Sequence, residues 1–292
     1  MMRKGIILAG GRGTRLYPIT KVINKQLLHV YDKPMIYYPL SILMLANIRE
    51  VLIISTPHDL PLYEELLGDG SKFGIKLSYQ VQLSPRGLPE AFILAEEFLN
   101  GSPSALVLGD NIFFSMGLQP ILEKASEDIH GMKVFAYPVY DPREYGVVEV
   151  SAEGKVRSIE EKPQHPKSNL ALTGLYFCDN QASSLAKELT LSGRGELEIV
   201  DLMRIYLKQD NLSVHNFGRG AAWLDTGNPD SLLDAANFIA TIERRQGFKI
   251  ACLEEIAFNK NWITQKELER HADDQKNSSY GKYIYNLLMS CK

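Results

Sequence analysis

The stretch Ile6-Ile-Leu-Ala-Gly-Gly-Arg-Gly-Thr-Arg15 is an apolar run of four residues that stops on glycines. A short, continuously apolar run closed by turn residues is the pattern of a parallel strand buried on both faces. The loop Gly10–Arg15 combines glycines, which let backbone N–H groups turn inward on an anion, with the cations Arg12 and Arg15. It is not a dinucleotide fingerprint, because Leu16 holds the third glycine position and no acidic residue ends the second strand to take a ribose. Nor is it a Walker A loop, since no Gly-Lys-Ser/Thr follows. A turn that merely joined a strand to a helix would not need two arginines.

The surroundings repeat this grammar. Pro34 to Asn47 reads as a helix entered at Pro34, with Pro39 tolerated in its early turns. Glu50–Thr56 is a second buried strand, stopped by Pro57, so a right-handed βαβ unit is expected. Ile75–Val81 alternates, Glu90–Leu99 is helical, and Ser104–Leu108 is a third buried strand ending on Gly109-Asp110. A helix at Leu118–Asp128 and a strand at Lys133–Tyr137 follow. These elements predict an open, mostly parallel α/β sheet, in which ligands bind beyond the carboxyl ends of the strands. Gly10–Arg15 and Gly109–Asn111 are therefore the segments to watch.

Beyond residue 140 the character changes. Gly146–Val150, the turn Ser151–Gly154 and Lys155–Ile159 read as an antiparallel hairpin. Leu170–Phe177, Asn211–Phe217 and Ala221–Asp225 are further strands, Glu196–Gln209 an amphipathic helix, and Pro229–Gln246 a long helix. The remainder, from Gly247, has helical pieces without strand alternation.

The 292 residues allow one large domain or two small ones, at roughly 100–200 residues each. The formal charge of −3 argues against a nucleic-acid surface, which needs a marked basic excess. The longest nearly apolar run, Met35–Ala46, is shorter than the ~20 residues of a membrane span. The N-terminal apolar run is likewise too short for a signal sequence of ~7–15 apolar residues. Cys178, Cys252 and Cys291 show no metal-like spacing and read as free thiols of a reducing, cytoplasmic compartment.

Two carboxylates stand out on physical grounds. Asp110 lies just past a buried strand, where an unpaired charge is costly, and Asp225 follows the apolar Ala221–Leu224. A metal ion would relieve both, although either could be a cap or turn aspartate. Lys25 by itself reads as a solvated lysine, Trp223 as core, and Glu160-Glu161-Lys162 as a solvated charge run.

Leu8–Leu16, Lys25-Gln-Leu-Leu28, Asp32-Lys-Pro-Met35, Val107–Phe113, Glu160-Glu-Lys-Pro163, Thr173–Phe177, Gly195–Ile199 and Ala222–Gly227 together resemble the sugar nucleotidylyltransferase family over essentially the whole chain. The nearest branch is the one that joins dTTP to α-D-glucose 1-phosphate, giving dTDP-glucose and pyrophosphate. The resemblance implies a Rossmann-like, open, mixed but mostly parallel sheet flanked by helices, with sugar-binding β insertions and a C-terminal helical appendix. It implies a catalytic unit over 1–246, with nucleotide binding in about 1–130 and sugar binding in about 131–228. The segment 247–292 would serve assembly and regulation.

In that family the catalytic positions match Arg15, Lys25, Asp110, Lys162 and Asp225, with Asp110 and Asp225 holding Mg²⁺. Nucleotide contacts match Leu8, Gly10, Gly11, Gly13, Thr14, Arg15, Gln26, Gln82, Pro85 and Gly87, with Gln82 and Gly87 on the thymine edge. Sugar contacts match Leu88, Tyr145, Gly146, Glu161, Lys162, Leu172 and Trp223. The resemblance further implies a homotetramer built from dimers, with feedback by a dTDP-deoxysugar at a site that includes Gly218, Arg219 and Glu255. No nucleic-acid or membrane partner is implied.

The chain departs from the family pattern at His29, where proline is usual, at Arg86, where aspartate is usual, and at Arg12, where serine is common. Phe114, Ser115 and Asn259 differ around the regulatory positions. None of these removes an expected cation or metal carboxylate. A uridylyltransferase on the same sugar phosphate is the rival within the enzyme class, and Lys25-Gln26 favours the thymidylyl branch. A noncatalytic nucleotide-sugar-binding subunit is the rival outside it, disfavoured by retention of the full set of charges.

Overall fold

The computed structural model describes residues 2–11 and 13–290; Arg12 and Cys291, both singled out above, lie outside the described residues. Thirteen strands occur in them: β1 Lys4–Leu8, β2 His29–Val30, β3 Lys33–Pro34, β4 Glu50–Ser55, β5 Lys76–Val81, β6 Ser104–Leu108, β7 Asn111–Phe114, β8 Met132–Pro138, β9 Gly146–Val150, β10 Val156–Glu161, β11 Leu170–Cys178, β12 Leu212–Asn216 and β13 Ala222–Asp225.

Nine of these build one mixed, mostly parallel sheet flanked by helices. β5, β4, β1 and β6 run parallel, so their carboxyl ends line one edge. β11 is the pivot. One of its edges carries β8 antiparallel along its length, and β12 continues beyond β8. Its other edge is divided: Leu175–Cys178 pair with β6, whereas Ala171 pairs with Val147 of β9. The β9–β10 hairpin is thereby set past the carboxyl end of β6, facing the glycine loop.

The apolar strands are buried on both faces, as parallel strands covered by helices must be. Ile6 joins a core with Leu52, Phe92, Leu106 and Met203 on one face. Its neighbour Ile7 joins Leu40, Val51, Val107 and Phe177 on the other. The last three helices, Leu253–Asn259, Gln265–Asp274 and Ser279–Ser290, contribute Leu253, Leu268, Ile284 and Leu288 to that second cluster. Among the described residues no helix is long and apolar enough to cross a membrane. Cys178 and Cys252 are buried free thiols.

Several expected boundaries move. The first helix begins at Tyr37 rather than Pro34, because Pro34 is drawn into the β2–β3 ladder opposite His29. Pro39 then lies in the first turn, where its missing N–H has no intrahelical partner to lose. The expected helix Glu90–Leu99 is two pieces, Glu90–Leu94 and Glu96–Leu99, parted at Ala95, where ψ opens to −2°. The helix expected from Glu196 starts at Ile199, since Glu196 and Leu197 are held in backbone bonds to Ser192 and Arg86. β7, its pairing with β13, and the helix Leu60–Leu67 had no counterpart in the sequence reading.

A buried quartet of charges ties the β2–β3 turn to the end of the chain. Lys33 Nζ lies 2.6 Å from Asp32 Oδ1 and 3.0 Å from Glu243 Oε1. Lys249 Nζ lies 2.8 Å from Glu243 Oε2 and also reaches Asp32 Oδ2.

Candidate active site

A cavity of about 460 Å³ opens where the carboxyl ends of β1 and β6 meet the β9–β10 hairpin. Asp110 and Asp225 stand on one wall of it because β7 and β13 are paired there. The ladder sets Asp225 opposite Asn111, and Thr226 donates to Asp110 O from both its N–H (3.3 Å) and its hydroxyl (2.9 Å). Asp110 Oδ2 accepts from Lys25 Nζ at 2.6 Å, and Asp110 Oδ1 from Asn111 Nδ2 at 3.0 Å. Burial and the neighbouring Asp110 push the Asp225 carboxyl up to about 6, against the opposing pull of Lys25, Arg15 and Lys162.

Lys25 is buried rather than solvated. It opens a one-turn 3-10 helix, Lys25–Leu27, capped by Asn24, whose Oδ1 accepts from Gln26 N at 3.0 Å. Asn24 is itself fixed from behind. Its Nδ2 donates to Asp59 Oδ2 at 2.9 Å and its Oδ1 accepts from Tyr63 OH at 2.7 Å. Asp59 also accepts from the Thr56 hydroxyl at 2.7 Å. Burial opposes its charge, but hydrogen bonds from His58, Thr56 and Asn24 hold the Asp59 carboxyl below its ordinary value. Gly13, Thr14 and Arg15 of the glycine loop line the cavity beside this turn.

On the opposite wall, Glu161 pairs in register with Gly146, and Lys162 N–H donates to Tyr145 O at 3.0 Å. Lys162 has φ 43°, a left-handed conformation that costs a non-glycine residue about 1–3 kcal/mol and is typical of functional positions. Leu88 and Leu172 also line the cavity, and the Trp223 ring, on the same strand as Asp225, meets Tyr145 edge-on at 5.2 Å.

Thirteen expected residues thus share one cavity: Gly13, Thr14, Arg15, Lys25, Leu88, Asp110, Tyr145, Gly146, Glu161, Lys162, Leu172, Trp223 and Asp225. The other nucleotide positions lie outside its lining, along the same sheet edge. Leu8 O accepts from Gly109 N at 3.0 Å, and Gln26 is buried with its Cγ under Gly109. Gln82 follows β5, its N–H donating to Ser55 O at 2.7 Å, and packs over Gly10. Gly11 lines a smaller hollow with Tyr17 and His58, and Pro85 is exposed. Gly87, at φ 108°, bridges to Leu197; a Cβ there would sit 2.0 Å from Leu197 O. Gly218, Arg219 and Glu255 do not line the cavity: the first two are exposed on the β12–β13 turn, and Glu255 accepts from Tyr283 OH at 2.8 Å.

Asn111, inside the segment Gly109–Asn111 singled out above but given no role there, and Arg194, not singled out at all, also line the cavity. Asn111 is a hub: its Oδ1 accepts from Trp223 Nε1 at 2.6 Å and from Gly174 N at 3.0 Å while its amide steadies Asp110. Arg194 donates to Glu161 Oε1 at 3.1 Å and to Glu198 Oε2 at 2.7 Å. Its signal was an arginine between Gly193 and Gly195, the same grammar as the first loop.

Among the described residues no group of three or more His, Cys, Asp or Glu could hold a metal ion. Asp110 and Asp225 are a pair. That donor set fits a hard divalent cation that takes its remaining ligands from water and phosphate oxygens; burial first, and then the charge of Asp110, raise the Asp225 pKa, and such a cation would offset both.

The nucleotidyl transferase family profile matches residues 4–242. A glucose-1-phosphate thymidylyltransferase of Neisseria gonorrhoeae is 55% identical over 285 residues, 98% of this chain and 99% of its own length. One of Xanthomonas campestris pv. campestris is 56% identical over 282 residues, 97% of this chain and 96% of its own. A solved structure of a Bacillus anthracis protein given the same name provisionally, in complex with sucrose, is 41% identical with a TM-score of 0.75, over 81% of this chain and 94% of that one.

Proposed function

Since the chain belongs to the nucleotidyl transferase family, we propose that it transfers a thymidylyl group from dTTP to α-D-glucose 1-phosphate, yielding dTDP-glucose and pyrophosphate. The observation that carries this reading is the gathering of Arg15, Lys25 and Lys162 in one cavity with Asp110 and Asp225, all three cations acting on the Asp225 carboxyl. Two phosphate anions must meet there, so neutralisation and alignment are the work required of the protein.

A phosphate oxygen of the sugar phosphate bonds to the α-phosphorus as the bond to the bridging oxygen of pyrophosphate breaks. Arg15 presents a planar fork to the triphosphate, and Lys25 a compact charge. Lys162 pairs with the sugar phosphate, and Arg194 beside it adds a second cation. Glu161 accepts from sugar hydroxyls, with Gly146, Leu172, Leu88, Tyr145 and Trp223 shaping the hexose pocket. Asp110 and Asp225 would hold Mg²⁺, which when bound neutralises phosphate oxygens. Gln26 and Asp110 serve the deoxyribose, and Gln82 and Gly87 the thymine.

Purified protein supplied with glucose 1-phosphate, Mg²⁺ and each triphosphate in turn should release pyrophosphate with the highest kcat/KM for dTTP. A preference for UTP would overturn the base assignment, and no release with any triphosphate would leave only a binding protein. The proposal extends to assembly through 247–292 as a homotetramer, with product feedback involving Gly218, Arg219 and Glu255. A monomer by light scattering would remove that part.

A further inference from the structure

Glu90 opens the short helix Glu90–Leu94 and is only 4% exposed. Three donors reach its carboxylate. Arg86 Nε donates to Oε1 at 2.7 Å, Arg86 N donates to Oε2 at 3.0 Å, and Gln82 Nε2 donates to Oε2 at 2.8 Å. A guanidinium and a backbone amide can only donate, and they fall one on each oxygen, so Glu90 presents two acceptors. The Gln82 group against Oε2 is therefore its NH₂. Its carbonyl Oε1 is turned away, against the glycine loop, where an ideal Cβ on Gly10 would lie 2.5 Å from it.

We propose that Glu90 determines which base the enzyme accepts, by holding the Gln82 amide with its carbonyl oxygen toward the nucleotide. This rests on the reading of Gln82 as the group that meets the base. Thymine and uracil carry an N3–H that donates to such an oxygen. Cytosine offers a bare N3, and lone pair then faces lone pair. A glutamine with no partner could turn its amide over and serve either base, because its two ends are nearly the same shape. Glu90 removes that freedom, being an acceptor at both oxygens. A buried polar group left unpaired by the wrong substrate discriminates strongly, which is how such an amide earns selectivity. Arg86 belongs to the same device: it neutralises Glu90 from the loop without touching Gln82.

The test is kcat/KM for dTTP and for dCTP, each with glucose 1-phosphate, in the wild type and five variants. Glu90→Met keeps much of the bulk but removes both acceptors, so the Gln82 amide is free to turn over. The dTTP/dCTP ratio should fall about tenfold or more, through a lower KM for dCTP. Arg86→Gln leaves both Glu90 oxygens accepting and should change the two rates alike, with the ratio held. Glu90→Leu does the same as Glu90→Met and replaces it if that variant does not accumulate folded. Glu90→Gln, in contrast, should hold the ratio: Arg86 N and Gln82 Nε2 both donate at the Oε2 position, so its carbonyl stays there and its NH₂ turns to the exposed Arg86 side chain. Gln82→Leu separates the two levels of the reasoning. If Gln82→Leu collapses the ratio while Glu90→Met and Glu90→Leu keep it, Glu90 has no such role and the site reading stands. If Gln82→Leu keeps the ratio, Gln82 does not meet the base, and this inference falls with that reading.

Discussion

Replacing Asn24 by Ala removes the support behind Lys25, and its cost can be worked from the contacts. The capping oxygen that accepts from Gln26 N is worth about 1 kcal/mol. Tyr63 OH and Asp59 Oδ2, both buried, each lose a partner, and a buried polar group left short costs about 1–3 kcal/mol. Asp59 still has Thr56 and His58, so the low end applies to it. A total of about 3 kcal/mol follows, or roughly 5 °C in the thermal midpoint for a chain of this size. The kinetic effect is separate. Lys25 rides on the turn that Asn24 caps, and a displacement of about 1 Å at a reacting site can cost on the order of 100-fold. We expect kcat/KM for the triphosphate to fall about 10- to 100-fold at temperatures where the variant is fully folded. Asn24→Asp supplies a control of opposite electrostatics. It keeps the capping oxygen but sets a second carboxylate against Asp59, so one of the pair must hold a proton. It should be less stable than Asn24→Ala at neutral pH and recover as the pH falls. In the wild type the sign is reversed. The depressed Asp59 pKa contributes stability above the unfolded carboxylate value, and that contribution is lost as the pH falls through the folded value. Calorimetry against pH, beside steady-state rates, measures both. A lowered midpoint with unchanged kcat/KM would refute the idea that this network positions Lys25.

Other outcomes are as definite. Asp110→Asn should reduce Mg²⁺-dependent turnover by orders of magnitude while the urea midpoint moves little, because Asn keeps the size and accepts from Lys25; full activity would remove the metal role. In metal-free protein, the raised pKa of Asp225 means stability falls as pH rises from about 4 through about 6, and Asp225→Asn should abolish that slope in urea titrations across the window. Gly87→Ala should cost more than about 2 kcal/mol and impair turnover, since the new methyl meets Leu197 O at a backbone angle side chains avoid. Lys33→Met should destabilise by about 3–5 kcal/mol, measured by urea unfolding, because Asp32 and Glu243 are left buried with one cation fewer.

The sheet was legible because parallel strands buried on both faces are written as unbroken apolar runs, as in Ile6–Ala9 and Ser104–Leu108. Their glycine-rich ends announced where a ligand site would lie. β7 was not legible: Asn111–Phe114 is four residues long, and its partner β13 lies more than a hundred residues further on. That pairing nevertheless sets Asp225 beside Asp110, so the sequence showed both carboxylates without the ladder that joins them. Lys25 was misread on its own terms because its burial depends on Asn24, Asp59 and Tyr63, a contact set spread over forty residues. Arg194 and Asn111 act through partners distant in sequence, and residue type alone does not record such partners.

The buried quartet has a consequence for the order in which the molecule can be finished. Asp32 and Lys33 follow closely on the turn that carries Lys25, yet the two charges that complete their neutral set are Glu243 and Lys249. On a growing chain the first two are made long before the last two exist. Until then Lys33 has no buried anion from outside its own turn, and water is its better environment. The part of the site encoded first is thus locked by residues encoded near the end, like an arch whose early stones wait for the last.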